Sequence, residues 1–355
     1  GSQNTAVGRN SLRNNTTGGN NVAMGSLAGH NNTTASDNTA VGYSALYANT
    51  TGHDNTALGK SALEDNSTGS ENTAVGWHAL ESNTSSYNTA VGWQAGQLNT
   101  TGEYNAIFGK NTLRNNTSGE HNTAIGGVAL YANTTADSNT AIGYEALGAN
   151  TTGGFNTAVG RDSLKANTTG VVNSALGLNA LLNNTTGGMN VAVGHAALTT
   201  NTVSSGNTGI GREAGYYVTG GGNTVIGGSS TSGGYTPAYN ITSQNNYISL
   251  GNAAVTNAYI KVAWTVTSDA RDKSNFGDVP HGLTFVNELK PVSFEFKLDR
   301  DSEETDGQVR YGFKAQDVAV LEKDSGIIID SSDTEKLHYR ESNLIPVLVK
   351  AIQEL

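Results

Sequence analysis

The sequence predicts a mostly β protein: a trimeric parallel β-solenoid, or β-roll, of 17-residue repeats, then a β-stem connector, then a small α/β domain. Three observations carry that reading. An Asn recurs from Asn4 to Asn223 at a spacing of 17, with two steps of 16 (Asn72 to Asn88 and Asn207 to Asn223). A Gly stands four residues after each of these, from Gly8 to Gly227, always preceded by an apolar residue. Charge then rises abruptly, from 20 charged side chains in residues 1–228 to 30 in the last 127.

Each element of the repeat has a physical reading. A typical unit, Asn38 to Asp54, reads N-T-A-V-G-Y-S-A-L-Y-A-N-T-T-G-H-D. Thr-Ala-Val is a short extended run, and the Gly after it suits a corner at positive φ. The Ala-Leu pair that follows supplies a second buried edge, as a strand or as one helical turn. A second Asn stands eleven residues after the first, from Asn15 to Asn201, ahead of Thr-Thr and usually Gly. Stacked Asn side chains can bond their equivalents in neighbouring coils and so satisfy the turns. Fourteen coils about 4.8 Å apart would make a rod of roughly 65 Å.

Adjacent Ala and Val point to opposite faces of a strand. Both columns are apolar, so one faces the interior and the other needs a partner. A thin coil with little core of its own predicts association about an axis, as a homotrimer. The Asn-Thr-Thr sequons are better explained as a structural ladder than as glycosylation sites, and the Thr columns as structure rather than an ice-binding face. The position after the corner Gly carries Tyr43, Trp77, Trp93 and Tyr144 among Lys60, Lys110, Arg161 and His195. Trp77 and Trp93 fall on successive coils. They form either a platform for a sugar ring or an aromatic ladder that shields the coil edge.

Composition excludes several classes. A net charge of −10 lacks the basic face that nucleic acid requires. There is no cysteine, hence no disulfide or thiolate metal site. No apolar run is long enough to span a membrane, and no signal peptide opens the sequence, whose Gly1-Ser2 resembles a cloning remnant. The seven His lack metal-ligand spacing, and D-R-D-S-E-E-T-D-G misplaces the Gly of a calcium loop and lacks its final Glu. No metal or cofactor is expected.

The connector, residues 229–267, holds two strand-like runs, Asn246 to Gly251 and Ala258 to Trp264, read as a β-stem. In residues 268–355 the pattern predicts a helix over Pro280–Leu289, a strand over Val292–Leu298 and an acidic loop to Gly307. A strand with Tyr311 and Phe313, a helix over Gln316–Leu321 and a strand over Ile327–Ile329 follow. A final helix is expected to present Leu344, Leu348 and Ile352 on one face.

Four strings in order, S-D-A-R-D-K, G-L-T-F-V-N-E-L-K-P-V-S-F-E-F, Y-G-F-K-A-Q-D-V and L-I-P-V-L-V-K-A-I-Q-E-L, span residues 268–355. They resemble the intramolecular chaperone of phage tail spikes and endosialidases, the self-cleaving peptidase S74 family. The array resembles the heads of trimeric autotransporter adhesins, with N-x-A-x-G units, and repeats ahead of chaperone domains in phage and bacterial fibres. It departs from the adhesin heads in its 17-residue period and its N-T-T-G segment. Relatives of the chaperone often continue into a coiled-coil tail, and the sequence stops at Leu355; a shortened tail would weaken trimerisation.

The resemblance implies a chaperone domain that trimerises the fibre and then cuts itself off between Thr267 and Ser268, with Ser268 as nucleophile and Lys273 as base. The residue types suit that chemistry. A serine hydroxyl attacks only when a base takes its proton, and a lysine serves as base only when burial or neighbouring cations favour its neutral form. The expectation is therefore a virion tail-fibre segment that contacts a host surface receptor, a glycan. The second reading is a bacterial surface or secreted adhesin. A glycan depolymerase is disfavoured because no catalytic domain precedes the stem.

Overall fold

The computed structural model describes residues 1–228, 241–252, 255, 268–297, 303–323, 325–331 and 337–355. Two units can be separated, Gly1–Ala253 and Ala254–Leu355.

The first unit is a parallel solenoid. Fifteen strands of three residues, from β1 (Thr5–Val7) to β15 (Ile248–Leu250), form a single sheet in chain order. Each coil repeats the same pairing, as in Thr39↔Thr56, Ala40↔Ala57 and Val41↔Leu58. The middle residue of each strand points inward: Ala57, Ala74 and Ala90 are fully buried. The third points outward, leaving an apolar column with Leu58 at 47% and Leu176 at 52% exposure. The second apolar column is thus uncovered in a single chain. The run Asn246 to Gly251, expected in a stem, instead contributes β15, which pairs with Thr224–Ile226 in register. Its alternation satisfies the solenoid sheet as well as it would a stem. The second expected stem run, Ala258 to Trp264, lies outside the described residues.

The Asn ladders account for the turns. Asn38 Oδ1 accepts from the backbone N–H of Asn55 at 3.0 Å, and the same contact recurs up the rod. The side chains of Asn38 and Asn49 both donate to the Gly52 carbonyl, each at 2.9 Å. Asn49 also donates to Asn32 Oδ1 on the previous coil at 3.2 Å. Thr50 Oγ1 donates to the Ser67 carbonyl on the next coil at 2.9 Å. A Cβ on Gly52 would sit 2.2 Å from the Gly69 carbonyl oxygen, so that position has no room for a side chain. N-T-T-G is therefore a structural motif, and its buried Asn cannot present itself for glycosylation. The corner Gly42 has φ 137°, and a Cβ there would meet the Gly59 oxygen at 2.4 Å.

The segment after the corner is neither a strand nor a helical turn. Ser44 (φ 55°) and Leu46 (φ 51°) both adopt the left-handed region, and the pattern repeats in most coils. Such a conformation costs roughly 1–3 kcal/mol for a non-glycine residue. Burying the leucine offsets about 1.5–3 kcal/mol of that, and the Leu46 amide bonds the Ala62 carbonyl of the next coil. One coil alone would not hold this geometry; the stack holds it.

Three coils carry Gly in place of that leucine, at Gly29, Gly96 and Gly215. In two of them the next coil compensates. Ile107 and Val225 replace the inward Ala, and their side chains lie within 4 Å of where a Cβ on Gly96 or Gly215 would stand. After Gly29 the next coil keeps Ala40, and a cavity of about 10 Å³ remains, lined by Leu12, Ala23, Gly29, Ala40 and Leu46 among others.

The second unit is small. Helix α1 (Leu283–Glu288) packs on α3 (Leu344–Glu354), with α2 (Ala315–Glu322) between two hairpin pairs. Those pairs are β16 (Val292–Phe294) with β17 (Arg310–Gly312), and β18 (Ile329–Asp330) with β19 (His338–Tyr339). The core gathers Phe285, Val318, Ile328, Ile329, Leu344 and Val347. The first helix starts at Leu283, not Pro280, and its first amide is capped by the Glu354 carboxylate at 2.6 Å. On α3 the buried residues are Leu344, Val347 and Ala351; Leu348 is 38% and Ile352 70% exposed. The expected face was one residue out of step, because small Ala351 at the i+7 position completes the stripe that faces the core. Buried Glu322 accepts bonds from the Ser325 hydroxyl and the amides of Ile327, Ile328 and Ile329, tying α2 to the loop that precedes β18.

Candidate functional site

The junction residues form a tight turn whose local sequence explains it. Asp269 caps a 3₁₀ turn, Ala270–Asp272, by accepting from the Arg271 amide at 2.8 Å. The Arg271 guanidinium folds back onto the same carboxylate, with Nη2 at 2.6 Å. Hydrogen bonds from the Arg271 side chain and backbone hold the Asp269 carboxyl below its ordinary range. Lys273 then leaves the turn in an extended conformation, its amide bonded to the Ala270 carbonyl at 3.2 Å. The consequence is that Lys273 Nζ lies 2.6 Å from Ser268 Oγ.

Both side chains are exposed. An ammonium in that position donates to the hydroxyl; only the neutral amine could take the hydroxyl proton. The Arg271 guanidinium thus occupies both oxygens of the Asp269 carboxylate. Asp269 and Arg271 were not singled out from the sequence, although Asp is a favoured residue for capping a following turn. Thr267 lies outside the described residues.

The aromatic positions on the array are only partly brought together. Trp77 and Trp93 stack at 5.1 Å with an interplanar angle of 14°. Lys110 sits over Trp93 at 5.1 Å and Lys60 over Tyr43 at 5.9 Å. Tyr43 is thus separated from the tryptophans by Lys60. Tyr144 lies three coils beyond Trp93, past Lys110 and Gly127. The two indoles cover one face of each other, and Lys110 lies over Trp93.

A second ladder was not anticipated: Tyr87, Tyr104 and His121 stack at 4.9 and 5.1 Å on the position before the first Asn. Its signal was present in the sequence, as aromatic residues at that position on three successive coils.

Residues 268–324 match the family described as the chaperone of endosialidase, peptidase S74. Its match begins at Ser268, the first residue of the turn that holds the serine–lysine contact. No curated protein matches the chain. The chaperone of endosialidase assignment implies trimer assembly for the chain that carries it, and a phage tail or extracellular setting. Among the described residues no helix is long and apolar enough to cross a membrane.

Proposed function

We propose that the chain is a segment of a homotrimeric phage tail fibre whose chaperone domain brings three solenoids together and then releases itself. One observation carries the cleavage reading: the family match opens on a serine whose Oγ lies 2.6 Å from a lysine Nζ. The uncovered apolar column supports association, since an exposed stripe of this length on a sheet face calls for a partner.

In the proposed reaction neutral Lys273 takes the Ser268 Oγ proton as the oxygen attacks the Thr267 carbonyl carbon. The Thr267–Ser268 C–N bond breaks, and the lysine returns the proton to the departing amine. Thr267 is then esterified to Ser268 Oγ, and water hydrolyses the ester to a free carboxylate and the hydroxyl. In the single chain Lys273 is exposed. Burial in the assembled trimer favours the neutral base, so assembly gates the cut.

The rod contacts a host surface glycan through the exposed stripe that includes Tyr43, Trp77, Trp93 and Tyr144. The N-x-A-x-G units support a second reading, a bacterial surface or secreted adhesin with the same chaperone. The test is denaturing mass analysis of Lys273→Ala and Ser268→Ala beside the wild type. Wild type should release residues 268–355 while both variants stay whole; a Lys273→Ala chain that cuts at the wild-type rate would refute the dyad.

A further inference from the structure

The stripe just past the corner glycine differs in kind from the rest of the array surface. Lys60, Trp77, Trp93 and Lys110 occupy four successive coils, so the stacked indole pair has a lysine on the coil at each end, the Lys110 ammonium over Trp93 and that of Lys60 over Tyr43. Coils about 4.8 Å apart place the two bracketing residues roughly 14 Å apart along the rod. Neither lysine has a carboxylate partner among the described residues, whereas Lys165 pairs with Glu145 and Asp162. Two cations without a carboxylate partner on one stripe are notable in a chain of net charge −10. An indole edge carries its N–H and the positive rim of the ring quadrupole. The stripe therefore carries indole N–H donors and positive charge.

The Tyr87–Tyr104–His121 ladder has the opposite character. The Tyr104 hydroxyl is pushed up by burial, then by Tyr87, Glu103, Glu71 and Glu120 around it. The same coil stack thus presents one aromatic ladder edged with cations and another edged with carboxylates.

We infer that the Lys60–Trp77–Trp93–Lys110 stripe binds an anionic saccharide, its acidic groups on the two ammonium ions and its sugar ring along the indole edges. This deepens the receptor-binding reading proposed above and rests on it for biological meaning. The binding itself needs only one coil stack, so it can be read whatever the oligomeric state.

The test titrates the full-length chain with oligogalacturonides (carboxylate), sulfated dextran oligomers (sulfate) and maltoheptaose (neutral), following tryptophan fluorescence. Saturable quenching by either anionic oligomer, weakened by salt and absent with maltoheptaose, is expected. Lys60→Ala and Lys110→Ala should each weaken it about tenfold, the equivalent of one charge-assisted contact, while Tyr104→Ala leaves it unchanged. Binding of maltoheptaose as tight as that of the acidic oligomers, binding unaffected by the lysine substitutions, or no binding to any of the three would overturn the inference. A monomeric native mass for the chain would instead count against the fibre reading, leaving the titration result to stand by itself.

Discussion

Exchanging one pair of residues tests how the solenoid fills its interior. Ile107 is fully buried and stands where most coils place Ala, directly above Gly96, which stands where most coils place Leu. Ile107→Ala alone removes three buried carbons over a glycine that cannot fill the gap, a loss of about 2–5 kcal/mol. Gly96→Leu alone meets no backbone obstacle, because φ at Gly96 is 58°, close to the 48° of Leu113. Its Cβ would nevertheless lie 2.7 Å from Ile107 Cδ1 and 3.0 Å from Leu80 Cδ2, an overpacking that costs about 1–3 kcal/mol.

The double variant restores the common Leu-over-Ala arrangement and should approach wild-type stability. The expected coupling energy is then at or above the usual upper limit of about 3 kcal/mol for residues in contact. Because a repeat array need not unfold in one step, the assay is amide hydrogen exchange at the coils around Leu80 and Ile107, with thermal unfolding beside it. Additive effects, with the double variant weaker than either single one, would refute this account of the core.

Other outcomes follow from the same geometry. Ala40→Ile should fill the cavity over Gly29, as Ile107 does over Gly96, and stabilise the array by about 0.5–2 kcal/mol, read as a higher melting temperature. Asn116→Ala leaves Asn99 Oδ1 without its donor, while the Gly119 carbonyl keeps its bond from Asn105; it should cost about 1–3 kcal/mol for the one orphaned acceptor, measured by exchange of the local amides. Burial pushes the Glu322 carboxyl up, but bonds from Ser325 and the amides of Ile328, Ile329 and Ile327 outweigh it, so its pKa lies below the ordinary 4.5. A depressed carboxylate contributes stability above its unfolded pKa and loses it as pH falls through the folded value. Glu322→Gln should therefore destabilise the C-terminal unit at neutral pH and flatten its acid limb, followed by pH-dependent denaturation.

The repeat was legible because its signals are spaced by the coil itself: the Asn, the Gly and the inward Ala recur at one step in sequence and one step in space. The role of the Asn columns could be anticipated from their chemistry. The left-handed leucines could not, since Leu46 carries no local preference for positive φ and takes it only because adjacent coils bond its amide and bury its side chain. The same limit explains β15: Ile248–Leu250 alternates like any strand, and only the 24-residue step from Thr224 reveals that it rejoins the sheet. On α3, periodicity identified the helix but not which of two apolar stripes faces the core. At the junction the serine and lysine were visible as types, whereas their approach depends on the Asp269–Arg271 clasp that sets the turn.

Under the proposed function, residues 268–355 are needed to wind three arrays together and are dispensable afterwards. Native mass measurement of the array produced with and without those residues tests it most directly. A stable trimer is expected only when the segment is present during folding, persisting once the segment has been cut away. An equally stable trimer from a chain that never carried the segment would contradict it.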